Sequence, residues 1–339
     1  MTVTVVIPAR GRPDLLLRAV VALNAQAEDA GVVLPVVIVD DASPEALAPS
    51  IDSALFPHLD LDVVRQTRNR GPGAARNKGL AQVTTPWVAF LDSDMVPGPG
   101  WAHQVLRISH DVDAPDGVEG RVEVPLDRTP TPFTHSTEFT VAGSHHGAGN
   151  IAYRADVLRE CGGFDERFFD PDRGLHFRED TELYFRMRDA GCEVRHDEGL
   201  VAVHPPLEVS WLTPIRLARR YYFDPLLARE HPHAFRELVG TRRIGPVSLR
   251  RARHEAARWY LVGGVLVVAG AGLRRRPIWT AGAILAGASW AANAVALCWR
   301  RRVRLVDVPG VAGVALVVPI VYLWNHERGV RRFKFRPRY

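Results

Sequence analysis

The chain has 339 residues, of which 47% are hydrophobic and 24% charged, and its formal net charge is +5 at pH 7. This length is ample for a buried core and predicts one large or two ordinary domains. The three cysteines, Cys161, Cys192 and Cys298, lack Cys-x-x-Cys spacing, which argues against a disulfide framework and favours a reducing compartment.

The charge is unevenly distributed along the chain. Residues 241–339 hold 19 basic and 3 acidic residues, a net charge of +16, whereas residues 1–240 carry a net charge of −11. The basic residues of the second part flank long apolar runs, a pattern that fits anionic lipid headgroups better than nucleic acid. We therefore expect a membrane partner and no nucleic-acid partner.

The first hundred residues alternate strand patterns with helix patterns. Residues 3–7 form an apolar, β-branched strand ended by Pro8, and no basic segment precedes it as in a signal peptide. Helical spacing over residues 14–27 follows, then strands at residues 36–39 and 63–64. A glycine-rich turn and short helix occupy residues 68–79, before a buried strand that ends at Leu91. This alternation predicts βαβ units and a doubly wound, mostly parallel sheet.

Three of these predicted strands end in polar residues. The first is followed by Pro8-Ala9-Arg10, the second by Asp40-Asp41, and the strand that ends at Leu91 by Asp92-Ser93-Asp94. Parallel strands bring such ends to one edge of the sheet, where ligands of open α/β sheets bind. An aspartate there can accept a hydrogen bond from an N–H of a nucleobase or from a ribose hydroxyl. Arg76 can form an ion pair with phosphate. The Asp-x-Asp pair offers the hard oxygen ligands that Mg²⁺ or Mn²⁺ prefers, so the sequence predicts a nucleotide site with a divalent cation.

The order of four motifs resembles the nucleotide-sugar half of family 2 glycosyltransferases of the GT-A fold. The motifs are V-V-I-P, V-D-D-A-S, N-R-G-P-G-A-A-R-N-K-G and D-S-D, and the resemblance covers about residues 3–204. It implies that Asp41, with Asp40, contacts the nucleobase and that Asp92 lies near the ribose and the sugar. It also implies that Asp94 ligates the metal, with Asp92 as a second metal residue. The implied nucleotide-sugar set is Pro8, Ala9, Arg10, Asp40, Asp41, Arg76, Asn77, Asp92 and Ser93.

A second acidic pair is predicted on a helix. Residues 183–190 have helical spacing and end at Gly191, which places Glu179 and Asp180 at the helix N-terminus, where the dipole favours carboxylates. A helix cap is one interpretation of this pair. In the family that the chain resembles, the pair in this place provides the general base, and Asp180 is the matching residue.

The rest of the predicted site lies between residues 147 and 204. We expect acceptor contacts from Gly149 and Asn150, in a turn that leads into a strand, and from Phe164 and Asp165, in the G-G-F-D-E loop. Of these, Asp165 is expected to order the loop. His204 follows a predicted strand, and a structural role is one interpretation. In several relatives a histidine near this place ligates the metal or contacts the diphosphate.

Three apolar stretches occupy the rear of the chain, at residues 259–273, 278–299 and 305–324. The middle stretch has 22 residues without a charge and is long enough to cross the hydrocarbon core of a bilayer. The first is slightly short, and Asp307 and Pro309 interrupt the third. We predict two or three membrane helices, with a buried core helix as the alternative for any one of them. Basic residues flank every stretch, so the positive-inside rule leaves the topology open.

Together these features predict an α/β catalytic domain of the GT-A fold at residues 1–205 and an amphipathic, basic linker at residues 206–257. Membrane helices follow within residues 258–324, and a basic tail occupies residues 325–339. The expected function is a membrane-anchored, inverting, metal-dependent glycosyltransferase that uses a nucleoside-diphosphate sugar. Its acceptor would be a hydroxyl of a lipid-linked or cell-envelope glycan, and its catalytic domain would face the cytoplasm.

Three alternatives stay open. A polyprenyl-phosphate glycosyl synthase also carries membrane helices behind such a domain. A sugar nucleotidyltransferase is suggested by V-I-P-A-R-G-R, although Pro13-Asp14-Leu15 interrupts the basic loop that a triphosphate needs. A catalytically silent membrane scaffold would keep the fold, and the intact acidic set argues against it.

Overall fold

The computed structural model describes residues 3–125, 131–135, 147–205, 207–240, 243–244, 247–298 and 303–339. The first strands are β1 (Val3–Ala9), β2 (Leu34–Asp40), β3 (Leu59–Arg65), β4 (Trp87–Leu91), β5 (Val96–Pro97), β6 (Gly117–Glu123) and β7 (Thr134–His135). The later strands are β8 (Asn150–Arg154), β9 (Phe169–Asp170), β10 (Leu175–His176), β11 (Val194–Val203), β12 (Leu207–Val209), β13 (Arg243–Ile244) and β14 (Val247–Ser248).

The helices divide between two compact units, Met1–Leu126 with Ser136–Pro205, and Asp127–His135 with Pro206–Tyr339. The first unit contains α1 (Pro13–Asp29), α2 (Gly71–Leu80), α3 (Trp101–His110), α4 (Ala155–Glu160) and α5 (Glu179–Asp189). The second unit contains α6 (Thr213–Arg219), α7 (Asp224–Glu230), α8 (Pro232–Gly240), α9 (Leu249–Gly272), α10 (Arg276–Cys298) and α11 (Val308–Phe333).

An eight-stranded sheet with the order β3-β2-β1-β4-β8-β6-β11-β5 forms the centre of the first unit. The four strands from β3 to β4 are parallel, and β11 is parallel to β6. Strand β8 runs antiparallel to both of its neighbours, and β5 runs antiparallel to β11. The predicted α/β class and mostly parallel sheet are therefore confirmed, with two reversed strands that the sequence pattern did not indicate.

Both faces of the parallel strands are covered, which explains their continuous apolar sequences. Successive residues of a strand point to opposite faces. Val5 and Ile7 of β1 accordingly pack on one side with Leu16 and Val20 of α1, whereas Val6 packs on the other side. Strand β1 extends through Pro8 to Ala9, beyond the predicted end, because residues 8 and 9 still pair with β2.

Helix α2 lies against β1 and β2 at a distance that only glycine permits. A Cβ atom at Gly79 would lie 2.3 Å from Cγ1 of Val6 and 3.3 Å from Cγ2 of Val39. The glycine in the middle of the R-N-K-G-L sequence is therefore a packing requirement. This close approach packs the last turn of α2 against β1 and β2, while the first turn of the helix is tied to Asp41 after β2.

The second unit is a helical assembly centred on α11. Its buried side chains come from α6, α9 and α11 and from the segment before Ser136; they include Phe133, Ala218, Ala257, Val314 and Val318. Helices α9 and α10 pack closely, because a Cβ atom at Gly263 would lie only 2.6 Å from the backbone nitrogen of Ala286.

Among the described residues, two helical segments are long and apolar enough to cross a membrane, Arg276–Cys298 and Leu305–Phe333. The most apolar window of the first is 17% buried, and that of the second is 44% buried. In the third predicted stretch, Asp307 and Pro309 lie where α11 begins, and the helix continues to Phe333, beyond the predicted end at residue 324. Proline is tolerated in a first helical turn, where its missing N–H is not needed.

Candidate active site

The loops that follow β1, β2 and β4 are joined by direct hydrogen bonds. The Asp41 amide donates to the Ala9 carbonyl over 2.8 Å, and the Gly11 amide donates to Oγ of Ser43 over 2.8 Å. Nη2 of Arg12, in the loop after β1, donates to Oδ2 of Asp94 over 3.0 Å. The carboxyl ends of the three strands therefore form one continuous site, to which Arg10 adds an exposed side chain and Ser93 a half-buried one.

Asp40 and Asp41 are both buried, and both bind protein groups. Asp40 accepts from the amides of Ser43 and Leu47 and from Arg65. Burial by itself would raise the pKa of Asp40, but these hydrogen bonds hold it below its usual range. Asp41 accepts from the amides of Arg70 and Gly71, each over 2.8 Å, at the start of α2. Burial is the largest effect on Asp41 and raises its pKa despite these bonds.

Arg76 connects the two acidic motifs. Its Nη2 atom donates to Oδ1 of Asp92 over 2.7 Å, and its Nη1 atom lies 3.6 Å from Oε1 of Glu179. The side chain is 4% exposed, and its guanidinium lies over the ring of Phe164, 5.3 Å from the centroid. A buried cation needs such carboxylate partners. Residues 92 and 179, which lie far apart in sequence, thus share one guanidinium.

Helix α5 places Glu179 and Asp180 in its first turn, as predicted. Burial would raise the pKa of Glu179, but His176, whose Nδ1 lies 3.8 Å from Oε1, and Arg76 lower it well below its usual range. Burial and the neighbouring charge of Glu179 raise the pKa of Asp180 to about 6. Asp180 is therefore ionised at neutral pH and more basic than an ordinary aspartate, which suits a general base.

Asp94 and His204 offer one oxygen and one nitrogen ligand to a cation. Oδ2 of Asp94 lies 3.7 Å from Nε2 of His204, and both side chains are largely buried. Across the parts of the chain that the structure describes, no group of three or more His, Cys, Asp or Glu could hold a metal. Mg²⁺ sites commonly use one or two carboxylates and take their other ligands from water and substrate phosphates. The donor set present fits a cation of that kind.

Several predicted binding residues make contacts inside the protein. Nδ2 of Asn150 donates to the carbonyls of Arg121 and Leu200, and its Oδ1 accepts from Nε1 of Trp101. Phe164 is 2% exposed and packs edge-to-face on Phe90. Asn150 is 1% exposed, so neither side chain is presented to a ligand at this site.

Three further predicted residues order the loops around the site. The side-chain amide of Asn77 donates to the carbonyl of Phe164 and accepts from its amide, both over 2.8 Å. Asp165 accepts from the backbone and side chain of Arg167 within the G-G-F-D-E loop and the turn after it. The carbonyl of Gly149 accepts from the Asp92 amide over 3.0 Å and brings the two loops together.

Three residues that no sequence motif indicated, Arg12, Gln66 and His176, also contact the site. Gln66 donates to Oδ1 of Asp41 over 3.0 Å, and the other two contact Asp94 and Glu179. His176 lies three residues before Glu179, a spacing that could have indicated the contact. Arg12 and Gln66 reach residues far away in the sequence, and no local pattern indicates these contacts.

The family model described as "Glycosyl transferase family 2" matches residues 4–137. The pre-mycofactocin glycosyltransferase of Mycobacterium tuberculosis is 33% identical over 267 residues, which are 70% of this chain and 50% of that protein. The chain contains a glycosyl transferase family 2 domain. The succinoglycan biosynthesis protein ExoU of Rhizobium meliloti is 30% identical over 215 residues, 59% of this chain and 61% of that protein. The family 2 chain spans about half the length of the first of these relatives.

A solved structure shares the fold of this family 2 protein. The mannosyltransferase PcManGT of Pyrobaculum calidifontis, in complex with GDP-Man and Mn²⁺, superposes with a TM-score of 0.50 at 19% identity. The superposition covers 97% of this chain and 84% of that one. The GT-A fold predicted from the four motifs is thereby confirmed.

Proposed function

We propose that this family 2 protein is a membrane-anchored, inverting glycosyltransferase that uses a nucleoside-diphosphate sugar and a divalent cation. The observation that carries the proposal is the arrangement around Arg76, which holds Asp92 on one side and Glu179 on the other. This arrangement supports a transferase site, because it joins a residue proposed for the donor side to one proposed for the base side.

The acceptor hydroxyl loses its proton to Asp180 while its oxygen forms a bond to the anomeric carbon. The bond from that carbon to the diphosphate oxygen breaks on the opposite face, and the nucleoside diphosphate leaves. Glu179 stays ionised beside His176 and Arg76, and its charge keeps Asp180 basic. A divalent cation held by Asp94 and His204, with Asp92 beside them, would stabilise the negative charge on the leaving group.

The contacts refine the roles proposed for the other residues. Arg10 and the backbone of the loop that Asp41 anchors would contact the nucleotide, with Ser93 near the sugar. Asp40, Asn77, Asn150 and Phe164 would act by positioning, because their side chains already bind or pack against protein groups. Gly149 and Asp165 would shape the acceptor side.

The proposed acceptor is a cell-envelope or lipid-linked glycan. One relative is named for pre-mycofactocin glycosylation and another for succinoglycan biosynthesis, both of which are syntheses of sugar-bearing products. The structurally similar PcManGT was solved with GDP-Man, which supports a nucleoside-diphosphate sugar as donor.

The membrane anchor is proposed from the second unit. Its two long apolar helices expose large side chains, including Ile284 at 73% and Trp324 at 63%, and Arg274–Arg276 lie at the start of the first of them. Cells that produce the protein should retain it in membranes washed with alkaline carbonate and release it in detergent. Release by carbonate alone would contradict the anchor. The catalytic unit would face the cytoplasm, where nucleotide sugars are made.

The activity is tested with the full chain in detergent, a panel of nucleoside-diphosphate sugars, Mn²⁺ and glycan acceptors. We expect acceptor-dependent release of a nucleoside diphosphate. Pyrophosphate released from a nucleoside triphosphate would indicate the nucleotidyltransferase instead. Transfer to polyprenyl phosphate alone would indicate the polyprenyl-phosphate synthase. Failure to bind any nucleotide in the presence of Mn²⁺ would favour the silent scaffold.

A further inference from the structure

Arg12 places a cation on the carboxylate that the proposed function assigns to the metal. Its guanidinium lies 3.0 Å from Oδ2 of Asp94, the oxygen that also lies closest to His204. The Asp94 side chain is 14% exposed, whereas that of Arg12 is 51% exposed. The carboxylate is therefore fixed in the site, and the arginine reaches it from solvent along a flexible side chain.

The backbone of residue 12 is unusual for a residue other than glycine. Arg12 has φ of +49° and ψ of +58°, immediately after Gly11 with φ of +63° and immediately before Pro13. A non-glycine residue in this left-handed conformation is strained, and such strain persists where surrounding structure enforces it. The hydrogen bond from the Gly11 amide to Ser43 is one such restraint.

The backbone of Arg12 takes part in starting helix α1, because its carbonyl accepts from the amides of Leu15 and Leu16. Arg12 occupies the position before that helix, but its side chain makes no capping hydrogen bond there. Its described hydrogen bond runs instead to Asp94, across the sheet edge from β1 to β4. The side chain of Arg12 is thus directed to the acidic site and not to the helix.

We propose that Arg12 is a donor-binding residue that occupies Asp94 until a divalent cation binds there, and then pairs with the diphosphate of the donor. This inference rests on the proposed function. A guanidinium and a divalent cation compete for Oδ2 of Asp94, because the two positive charges repel each other at so short a distance. Once displaced, the planar guanidinium fork matches diphosphate oxygens in a bidentate manner. Arg12 would then be held by the substrate and no longer by the protein.

The test measures ligand binding by calorimetry on the full chain in detergent, first with Mn²⁺ alone and then with UDP or GDP in saturating Mn²⁺. Arg12→Gln should bind Mn²⁺ about two- to fivefold more tightly than the wild type, because a partly exposed competing ion pair is lost. The same variant should bind its nucleoside diphosphate about tenfold more weakly, because a charge-assisted contact is lost.

Two further variants make the result specific. Arg18→Gln removes the same charge from an exposed position of α1 and should change neither affinity. Arg12→Gly removes the guanidinium together with the backbone strain, so it should reproduce both affinity changes without loss of thermal stability.

The measurements distinguish a failure of the proposed role of Arg12 from a failure of the proposed cation site on which that role rests. Mn²⁺ binding that Asp94→Asn leaves intact would overturn the proposed cation site, and the role of Arg12 with it. If Asp94→Asn removes Mn²⁺ binding but Arg12→Gln does not tighten it, the inference about Arg12 alone is overturned. Unchanged nucleoside-diphosphate affinity in Arg12→Gln would equally overturn it.

Discussion

Asp180→Asn is expected to abolish sugar transfer and, at pH 8, to raise the thermal stability of the protein. An amide cannot accept the acceptor proton, and loss of a general base typically lowers the rate about 10²- to 10⁴-fold. Burial and the charge of Glu179 raise the pKa of Asp180 to about 6, so the folded protein holds the ionised form at a cost. The neutral isostere removes that cost, which is on the order of 1–3 kcal/mol.

The raised pKa of Asp180 determines how its contribution to the stability of the protein changes with pH. The folded state binds the Asp180 proton more tightly than the unfolded state, so this group lowers stability as the pH rises from about 4 through about 6. The gain in melting temperature from Asp180→Asn should therefore be present at pH 8 and absent at pH 4. The wild-type transfer rate should fall below about pH 6, where Asp180 becomes protonated.

A matched control for Asp180→Asn is Asp189→Asn at the exposed C-terminal end of the same helix. This change should leave the transfer rate within about twofold of wild type, since it is remote from the acidic pair. The assignment of Asp180 would be wrong if Asp180→Asn retained full activity. It would also be wrong if the stability gain were equal at pH 4 and pH 8.

Asp94→Asn is expected to remove Mn²⁺-dependent turnover, with a loss of about 10²-fold or more in kcat/KM. The amide keeps the shape of the side chain but cannot supply the anionic oxygen that a hard cation prefers. The fold should remain intact, because Asp94 lies at a strand end and the loss of its ion pair with the half-exposed Arg12 costs little. Measurement of turnover with Mn²⁺ tests the expected loss of activity. Far-ultraviolet circular dichroism of the same samples tests whether the fold remains intact.

The control for Asp94→Asn is Asp62→Asn, an exposed position on β3 of the same unit. It makes the same chemical change away from the site and should keep both the turnover and the Mn²⁺ response. Full, Mn²⁺-responsive turnover in Asp94→Asn would remove this residue from the mechanism. In that case His204 and the cation site would need another carboxylate partner.

The sequence motifs predict which residues belong to the site, but they do not predict which residues those side chains contact. Asn77 and Phe164 belong to recognisable motifs, yet the structure joins them to each other, with the Asn77 amide on the Phe164 backbone. Asn150 also looks like a binding residue in sequence, and it ties three strands to Trp101. A motif indicates that a side chain has a role in the site, but the residue that this side chain contacts lies elsewhere in the sequence.

The sequence by itself determined the α/β class, the strands that begin the sheet, the order of the four motifs and the apolar helices at the rear. These features follow from local periodicity and short motifs, which neighbouring residues specify. Only the tertiary structure decided the reversed direction of β8, the sharing of Arg76 between Asp92 and Glu179, and the contact of Arg12 with Asp94. Such contacts join residues tens of positions apart, and their geometry and pKa effects depend on how the elements pack, which no local spacing encodes.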